Sequence, residues 1–186
     1  MNAVALLAAE QVLMLAPHPP LRSLVAEIAG PEATGSWWSH PRGKLIFNTA
    51  AALEDHPDTL VVKLVAGKVT FVHRDLWPAL LRVVADPVAR IVTLGLMGPA
   101  ANELYGLVGE RSSFVPRKEQ KALATTLDRK LLILTRQEHS ASGKHITVCM
   151  SWERWAAEVG AAPSQSSFGD ALAAIKAATK GAKVAI

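Results

Sequence analysis

Residues 116–130 combine cations and a hydroxyl group at the spacing of one helical face, and such a face can contact nucleic acid. Within this predicted helix, Leu123, Ala124 and Leu127 form the inward side. The outward side carries Lys118, Lys121, Thr125 and Arg129. Lysine and arginine contact phosphates, and a threonine can touch a base edge or the methyl group of thymine. We therefore predict that this helix enters the major groove of DNA.

Two further cations belong to the same predicted site. The polar loop of residues 138–144 has the composition of a wing. The wing adds Arg136 and Lys144, which are placed where a wing would reach the adjacent backbone or minor groove. Each phosphate contact steepens the dependence of binding on salt by about one unit of slope. The alternative is that these charges form an ordinary solvated helix face, because Glu119 and Asp128 dilute them.

Two adjacent tryptophans, Trp37 and Trp38, lie in a predicted loop over residues 32–40. In a functional interpretation, one indole ring is a stacking platform for an unpaired base. In a structural interpretation, both rings anchor the loop onto the helices, because tryptophan supplies a large buried area. The other tryptophans follow the apolar periodicity of their segments and are predicted to be core residues; they are Trp77, Trp152 and Trp155.

No spacing in the sequence indicates catalysis, a metal or a cofactor. The 6 histidines show no HxxxH pattern, and a single cysteine cannot supply CxxC. Cys149 lies in a predicted strand, where a small apolar residue is expected, and no base stands at a suggestive spacing. Gly43 and Lys44 lack the preceding glycine loop of a phosphate-binding P-loop. We therefore predict no catalytic residue, no metal ligand and no cofactor.

The first 75 residues predict three helices followed by a β-hairpin, which is the order of elements in a winged helix. Apolar residues recur at helical spacing over residues 3–15, 21–28 and 41–53. Two β-branched runs, 60–65 and 69–73, flank a tight turn and predict the hairpin.

The third predicted helix of this half is less suited to DNA than residues 116–130. Its outward cations are Arg42 and Lys44, accompanied by Asn48, and its end carries Glu54 and Asp55. A dimer or packing surface is expected there.

The same order of elements returns over residues 76–151. Helices are predicted over residues 76–84, 99–108 and 116–130, and strands over residues 131–137 and 145–150. Residues 152–186 form a helical extension with a last helix over 168–179. The predicted fold is mainly α with small β-hairpins, an α+β class, built from tandem winged-helix-like units over residues 1–75 and 76–151.

Three segments resemble known bacterial proteins. They are residues 36–41 (SWWSHP), residues 60–77 and residues 124–155. They resemble proteins related to AlkZ, a winged-helix family of DNA glycosylases that unhook interstrand crosslinks. The resemblance implies a tandem winged-helix scaffold and a nucleic-acid role. The activity of that family depends on a glutamine separated by one residue from a second glutamine or an aspartate, and none of Gln11, Gln120, Gln137 and Gln165 has such a neighbour.

The composition is that of an ordered globular protein, with 50% apolar and 19% charged residues. A net charge of +4 permits binding to a polyanion without requiring it. One cysteine suits a reducing compartment, and Glu10 and Gln11 interrupt the apolar first residues, which is atypical of a signal peptide. No apolar run reaches the roughly 18 residues needed to cross a bilayer. We expect a cytoplasmic protein without a membrane partner.

Three functions remain open at this point. The first is a DNA-binding protein without catalysis, acting as a regulator or as an accessory to DNA repair, with double-stranded DNA as its partner. The second is a protein interaction module of winged-helix shape, which binds a partner protein or forms a homodimer. The third is a residual repair enzyme that uses Glu54 or Asp55 near Trp37 and Trp38, and it requires a cleft that joins these residues.

Overall fold

A computed structural model describes residues 2–31, 36–139 and 145–186. About 53% of the chain is helical and 18% is in strands, and the strands form small antiparallel sheets. The predicted α+β class is therefore confirmed. In the described ranges, no helix has both the length and the apolar content needed to cross a membrane.

The first half folds its helices around a three-stranded sheet. Its helices are α1 (Ala3–Glu10), α2 (Leu24–Ala29) and α3 (Gly43–Glu54). Its strands are β1 (Val12–Met14), β2 (Thr59–Val65) and β3 (Lys68–His73). The strand order is β1-β3-β2, and both pairs are antiparallel. The hairpin predicted from the β-branched runs is confirmed, and Ala66 and Gly67 form its turn with φ values of 50° and 67°.

The first helix is shorter than predicted, because the chain changes direction at Gln11. This residue adopts a left-handed conformation with a φ of 59°, and its N–H donates to the carbonyl oxygen of Leu7 at 2.8 Å. Val12 to Met14 then extend as β1 along β3, and all three side chains are buried. The apolar residues after position 11 continued the helical spacing, but both faces of this short strand are covered.

Two other helices begin later than predicted. Helix α2 begins at Leu24 instead of residue 21, because the Ser23 hydroxyl oxygen accepts the N–H of Ala26 at 3.2 Å and caps it there. Helix α3 begins at Gly43 instead of residue 41. A Cβ atom at Gly43 would lie 2.8 Å from the carbonyl oxygen of Trp37, so only glycine allows the preceding turn to pack against this helix.

The second half contains four helices and a second hairpin. The helices are α4 (Trp77–Val84), α5 (Pro87–Met97), α6 (Pro99–Gly109) and α7 (Lys121–Arg129). The hairpin pairs β4 (Leu134–His139) with β5 (His145–Met150). Phe114 bridges to Cys149 on the outer side of β5. Helix α5 was not predicted.

Helix α7 and strand β4 both begin later than predicted. Residues 118–120 form a 3-10 turn, so the α-helix begins at Lys121 and not at residue 116. Leu131 has a left-handed φ of 54°, and its N–H donates to the carbonyl oxygen of Asp128 at 3.0 Å, which ends the helix before β4 begins at Leu134.

The C-terminal residues pack against both halves. Helix α8 (Trp152–Val159) follows β5, and α9 (Phe168–Ala178) packs on α4. The Trp152 indole N–H donates to the carbonyl oxygen of Leu131 at 2.6 Å. Trp77 and Trp152 are buried in the largest core cluster and Trp155 packs against it, as predicted. That cluster takes side chains from both halves.

The end of the chain pairs with the first sheet. Val184 bridges to Val65, the N–H of Ala66 donates to the carbonyl oxygen of Lys183 at 3.0 Å, and the N–H of Ala185 donates to that of Leu64 at 2.9 Å. Residues 183–185 are therefore held at the end of β2.

Candidate nucleic-acid interface

Helix α7 exposes the side chains that the sequence placed on its outward face. Lys118, Lys121, Thr125 and Arg129 are exposed, and we call them the basic stripe. The opposite side packs into a core cluster through Ala124 and Leu127, with Leu123 partly buried. The periodicity thus gave the correct orientation of the helix.

The cations of the basic stripe keep their charge available. Lys118, Lys121 and Arg129 form no salt bridge with any described residue. The Thr125 hydroxyl donates to the carbonyl oxygen of Lys121 at 2.9 Å. Its proton is therefore committed to the helix, while its oxygen and methyl group still face outward.

The side chain of Asp128 is turned away from the basic stripe, although its charge still interacts with that of Arg129. Asp128 is only 5% exposed. Burial raises the pKa of this carboxyl group, and the charge of Lys63 and hydrogen bonds from Thr135 oppose part of that increase. Glu119, in contrast, is exposed beside Lys118.

Of the two cations predicted for the second hairpin, Arg136 is paired with carboxylates and does not extend the basic stripe as a free charge. The Arg136 guanidinium donates to a carboxylate oxygen of Glu138 and lies 3.6 Å from one of Glu158. A phosphate would therefore have to compete with Glu138 and Glu158 for the Arg136 guanidinium. Lys144 and most of the predicted wing loop lie outside the described residues.

Arg129 connects the basic stripe to the first half. Its Cγ atom lies 3.5 Å from the position of a Cβ atom built on Gly67, and its Cδ atom lies at 3.6 Å. The aliphatic part of the arginine thus covers the turn between β2 and β3. The sequence carried no signal for this contact, because the two residues are remote along the chain.

Trp37 and Trp38 differ in exposure although they are adjacent. Their rings stack with centroids 4.0 Å apart and an interplanar angle of 23°. Trp37 packs against the core cluster of α1, α2 and α3, whereas Trp38 is 64% exposed. The anchoring interpretation fits Trp37, and Trp38 presents an open ring beside Phe47, 5.6 Å away between centroids.

A cleft of about 880 Å³ lies between the two halves. Its aromatic wall consists of Trp37, Trp38 and Phe47, and Glu54 and Asp55 line it as well. The other half contributes Asp128 and Thr135, and Lys63 of β2 lies near the Asp128 carboxylate. We call this space the interhalf cleft. It joins the residues that the third function class requires.

Within the described residues, the remaining candidate nucleophile and metal-ligand side chains do not form a catalytic or metal site. Cys149 is buried, and desolvation with the nearby charge of Asp128 raises its pKa to about 11, which disfavours a nucleophilic thiolate. Over residues 2–31, 36–139 and 145–186, no three His, Cys, Asp or Glu side chains converge as a metal site.

An apolar surface on α5 was missed from the sequence. Val88, Ile91, Val92 and Leu96 are between 56% and 85% exposed, and we call them the α5 stripe. Their spacing of three and four residues is that of one helical face, and Asp86 and Pro87 are good start signals for a helix. These two signals together predict α5 and its apolar face.

Comparison with known proteins gives no match. No family model matches the chain, and no curated protein or solved structure does. A function must therefore be inferred from the side chains described above.

Proposed function

We propose that the chain is a DNA-binding protein without catalysis, which contacts duplex phosphates through the basic stripe and acts as a regulator or as an accessory to DNA repair. The observation that carries the proposal is the outward set of Lys118, Lys121 and Arg129, which form no salt bridge with a described residue and lie along a helix whose other face is buried. When such cations contact phosphates, they displace counterions from the DNA. They do not have to break a salt bridge with a described residue first.

The arrangement of elements supports a winged-helix interpretation. In the first half, a short strand between two helices pairs with the second strand of the hairpin, in the order β1-β3-β2. In the second half, Phe114 between α6 and α7 likewise bridges to the second strand of the hairpin, at Cys149. The likeness to AlkZ-related proteins agrees with this interpretation and with a role near DNA repair.

The test is a titration of the full chain into a fluorescently labelled duplex of random sequence at about 50 and 200 mM salt. We expect binding at the lower concentration and its collapse at the higher one. The variant Lys118→Ala, Lys121→Ala removes two phosphate contacts, so the slope of log affinity against log salt falls by about two.

A control variant with the same loss of charge at other positions distinguishes a specific contact from a general effect of net charge. Lys44→Ala, Lys176→Ala removes two exposed lysines from α3 and α9 that form no salt bridge within the described ranges, and we expect it to keep the slope of the unaltered chain. No binding at micromolar protein, or an equal loss of slope in both variants, contradicts the proposal.

The α5 stripe favours a second candidate function, a homodimer. Arg90 is turned away from the stripe toward the Tyr105 hydroxyl and Glu153, at 3.1 and 3.3 Å, so the exposed face is uncharged. Gly95 has open space where a Cβ atom would stand, which permits close approach of a second helix. An uncharged face suits an identical copy across a two-fold axis.

Light scattering during size-exclusion chromatography tests this candidate. We expect a dimer that Leu96→Lys converts to a monomer, whereas Val159→Lys, at another exposed apolar residue, leaves it intact. A monomer at high protein concentration rules the homodimer out.

The interhalf cleft favours the third candidate, a repair enzyme acting on an extruded base. Trp38 would stack on the base, and Glu54 or Asp55 would take a proton from the water that displaces it from the sugar carbon. Release of free base from alkylated duplex, measured by mass spectrometry and lost in Glu54→Gln, Asp55→Asn, is the expected result. Absence of released base contradicts this candidate.

A further inference from the structure

Three segments from distant parts of the sequence meet at the turn between β2 and β3. The stem of Arg129 covers Gly67, the carbonyl oxygen of Lys183 accepts the N–H of Ala66, and Lys68 begins β3 directly after the turn. The basic stripe of α7 therefore ends beside two lysines that the sequence analysis did not associate with it.

Both lysines are available to an anion. Lys68 and Lys183 are exposed, and neither forms an ion pair with a described residue. The Lys68 ammonium group donates to Nδ1 of His18 at 3.4 Å, and an imidazole ring carries no negative charge that would compensate the lysine. The nearby acids are occupied, since Glu10 binds Lys180 and Arg22, and Asp128 is buried.

The turn adds little side-chain bulk of its own. Ala66 and Gly67 are small, and the stem of Arg129 packs over Gly67, so the bulk beside Lys68 comes from a cationic side chain. From Lys121 to Arg129 the helix advances about 12 Å, and the phosphates of one strand follow one another every ~3.4 Å along the duplex axis. A surface of this length meets several phosphates in succession.

We infer that the turn and residues 183–185 form a second contact with the backbone of double-stranded DNA, in which Lys68 and Lys183 bind phosphates adjoining those bound by the basic stripe. This inference rests on the proposed function. A duplex fits better than an acidic peptide, because the cations stand on three segments that backbone hydrogen bonds and the contact of Arg129 with Gly67 hold together, as a continuous phosphate backbone requires. The first hairpin then acts as a wing beside α7.

The experiment compares duplex binding of four full-length chains over a salt series. They are the unaltered chain, Lys68→Ala with Lys183→Ala, Lys118→Ala with Lys121→Ala, and the control Lys44→Ala with Lys176→Ala. We expect the slope of log affinity against log salt to fall by about two in the first two variants and to stay unchanged in the control. Alanine at position 183 keeps the backbone pairing with Ala66, and circular dichroism checks that each variant is folded.

The outcomes separate this inference from the proposed function. If the stripe variant loses slope while Lys68→Ala with Lys183→Ala does not, the second contact is wrong and the proposed function stands. If the unaltered chain binds no duplex, both are wrong. Acetylation of lysines with and without duplex, read by mass spectrometry, gives an independent result: protection of Lys68 and Lys183 but not of Lys44 is expected, and equal labelling overturns the inference.

Discussion

Helices α3 and α7 occupy corresponding places in the two halves, each directly before a hairpin, yet they expose different chemistry. Helix α3 exposes Leu45 and Phe47, and Glu54 and Asp55 stand at its end. The guanidinium of Arg42, one of its predicted cations, donates to the carbonyl oxygen of Ile28 and is thus used within the fold. Two helices at corresponding positions in the order of elements therefore need not bind the same kind of partner.

The exposed faces of the two helices border different parts of the molecule. The exposed face of α3 borders the interhalf cleft and its tryptophans, whereas the exposed face of α7 carries unpaired cations that continue to the first hairpin. Helix α3 thus presents aromatic and acidic groups toward the cleft, whereas α7 presents positive charge. We expect substitutions in the two helices to separate binding from stability.

The largest effect is expected from removing the buried leucine that holds each helix. Leu53 and Leu127 are 1% and 0% exposed, so Leu53→Ala and Leu127→Ala should each lower the free energy of unfolding by about 2–5 kcal/mol in urea titrations. At a temperature where both variants stay folded, duplex binding should weaken only in Leu127→Ala. A cost below about 1 kcal/mol would mean that the helix is not held by this side chain.

A charge reversal at matched positions should have the next largest effect. Lys121→Glu places a carboxylate among the cations of the basic stripe, so the salt slope of duplex binding should fall by about one unit and affinity should drop at low salt. Lys44→Glu introduces the same change on α3 and should alter neither quantity. Equal losses in the two variants would remove the distinction between the helices.

A smaller effect is expected from Asp128, whose pKa is raised by burial above its ordinary value of 3.8. The folded chain therefore binds more protons than the unfolded chain between the two pKa values, and stability falls as pH rises through that window. Asp128→Asn should raise the melting temperature at neutral pH and flatten its dependence on pH in this acidic window. Glu119→Gln, at an exposed carboxylate, is the control, and an unchanged pH profile in Asp128→Asn would contradict the assignment.

The smallest effect is expected from Thr125→Ala. The hydroxyl already donates to the helix backbone, so its loss leaves the phosphate contacts in place, and the salt slope on random duplex should not change. Selection of preferred sites from a pool of duplexes, performed with both proteins, would reveal a base contact. A changed slope would instead indicate that Thr125 positions the neighbouring lysines.

The sequence predicted what depends on local pattern. The hairpin of residues 59–73 followed from β-branched runs around a short turn, and the orientation of α7 followed from Leu123 and Leu127. The helix predicted over residues 3–15 was wrong in its last third, because a buried strand and a helical face share the same apolar residues there.

The pairing of side chains across the fold could not be predicted. Arg136 was assigned to DNA, but the acid that neutralises it, Glu158, lies on α8, and its approach depends on how α8 packs beside the second hairpin. The contact of Arg129 with Gly67 and the burial of the Asp128 side chain likewise depend on how distant segments pack together. Such contacts depend on tertiary packing, for which neither spacing nor residue type carries a signal.

The pairing of residues 183–185 with β2 also has a consequence for biosynthesis. A ribosome completes β2 long before it adds the segment that covers the end of this edge strand. During that interval the nascent chain carries unpaired backbone groups at Leu64 and Ala66, which are open to strands of neighbouring chains. Residues 183–185, which are translated long after β2, thus cover the end of the first sheet.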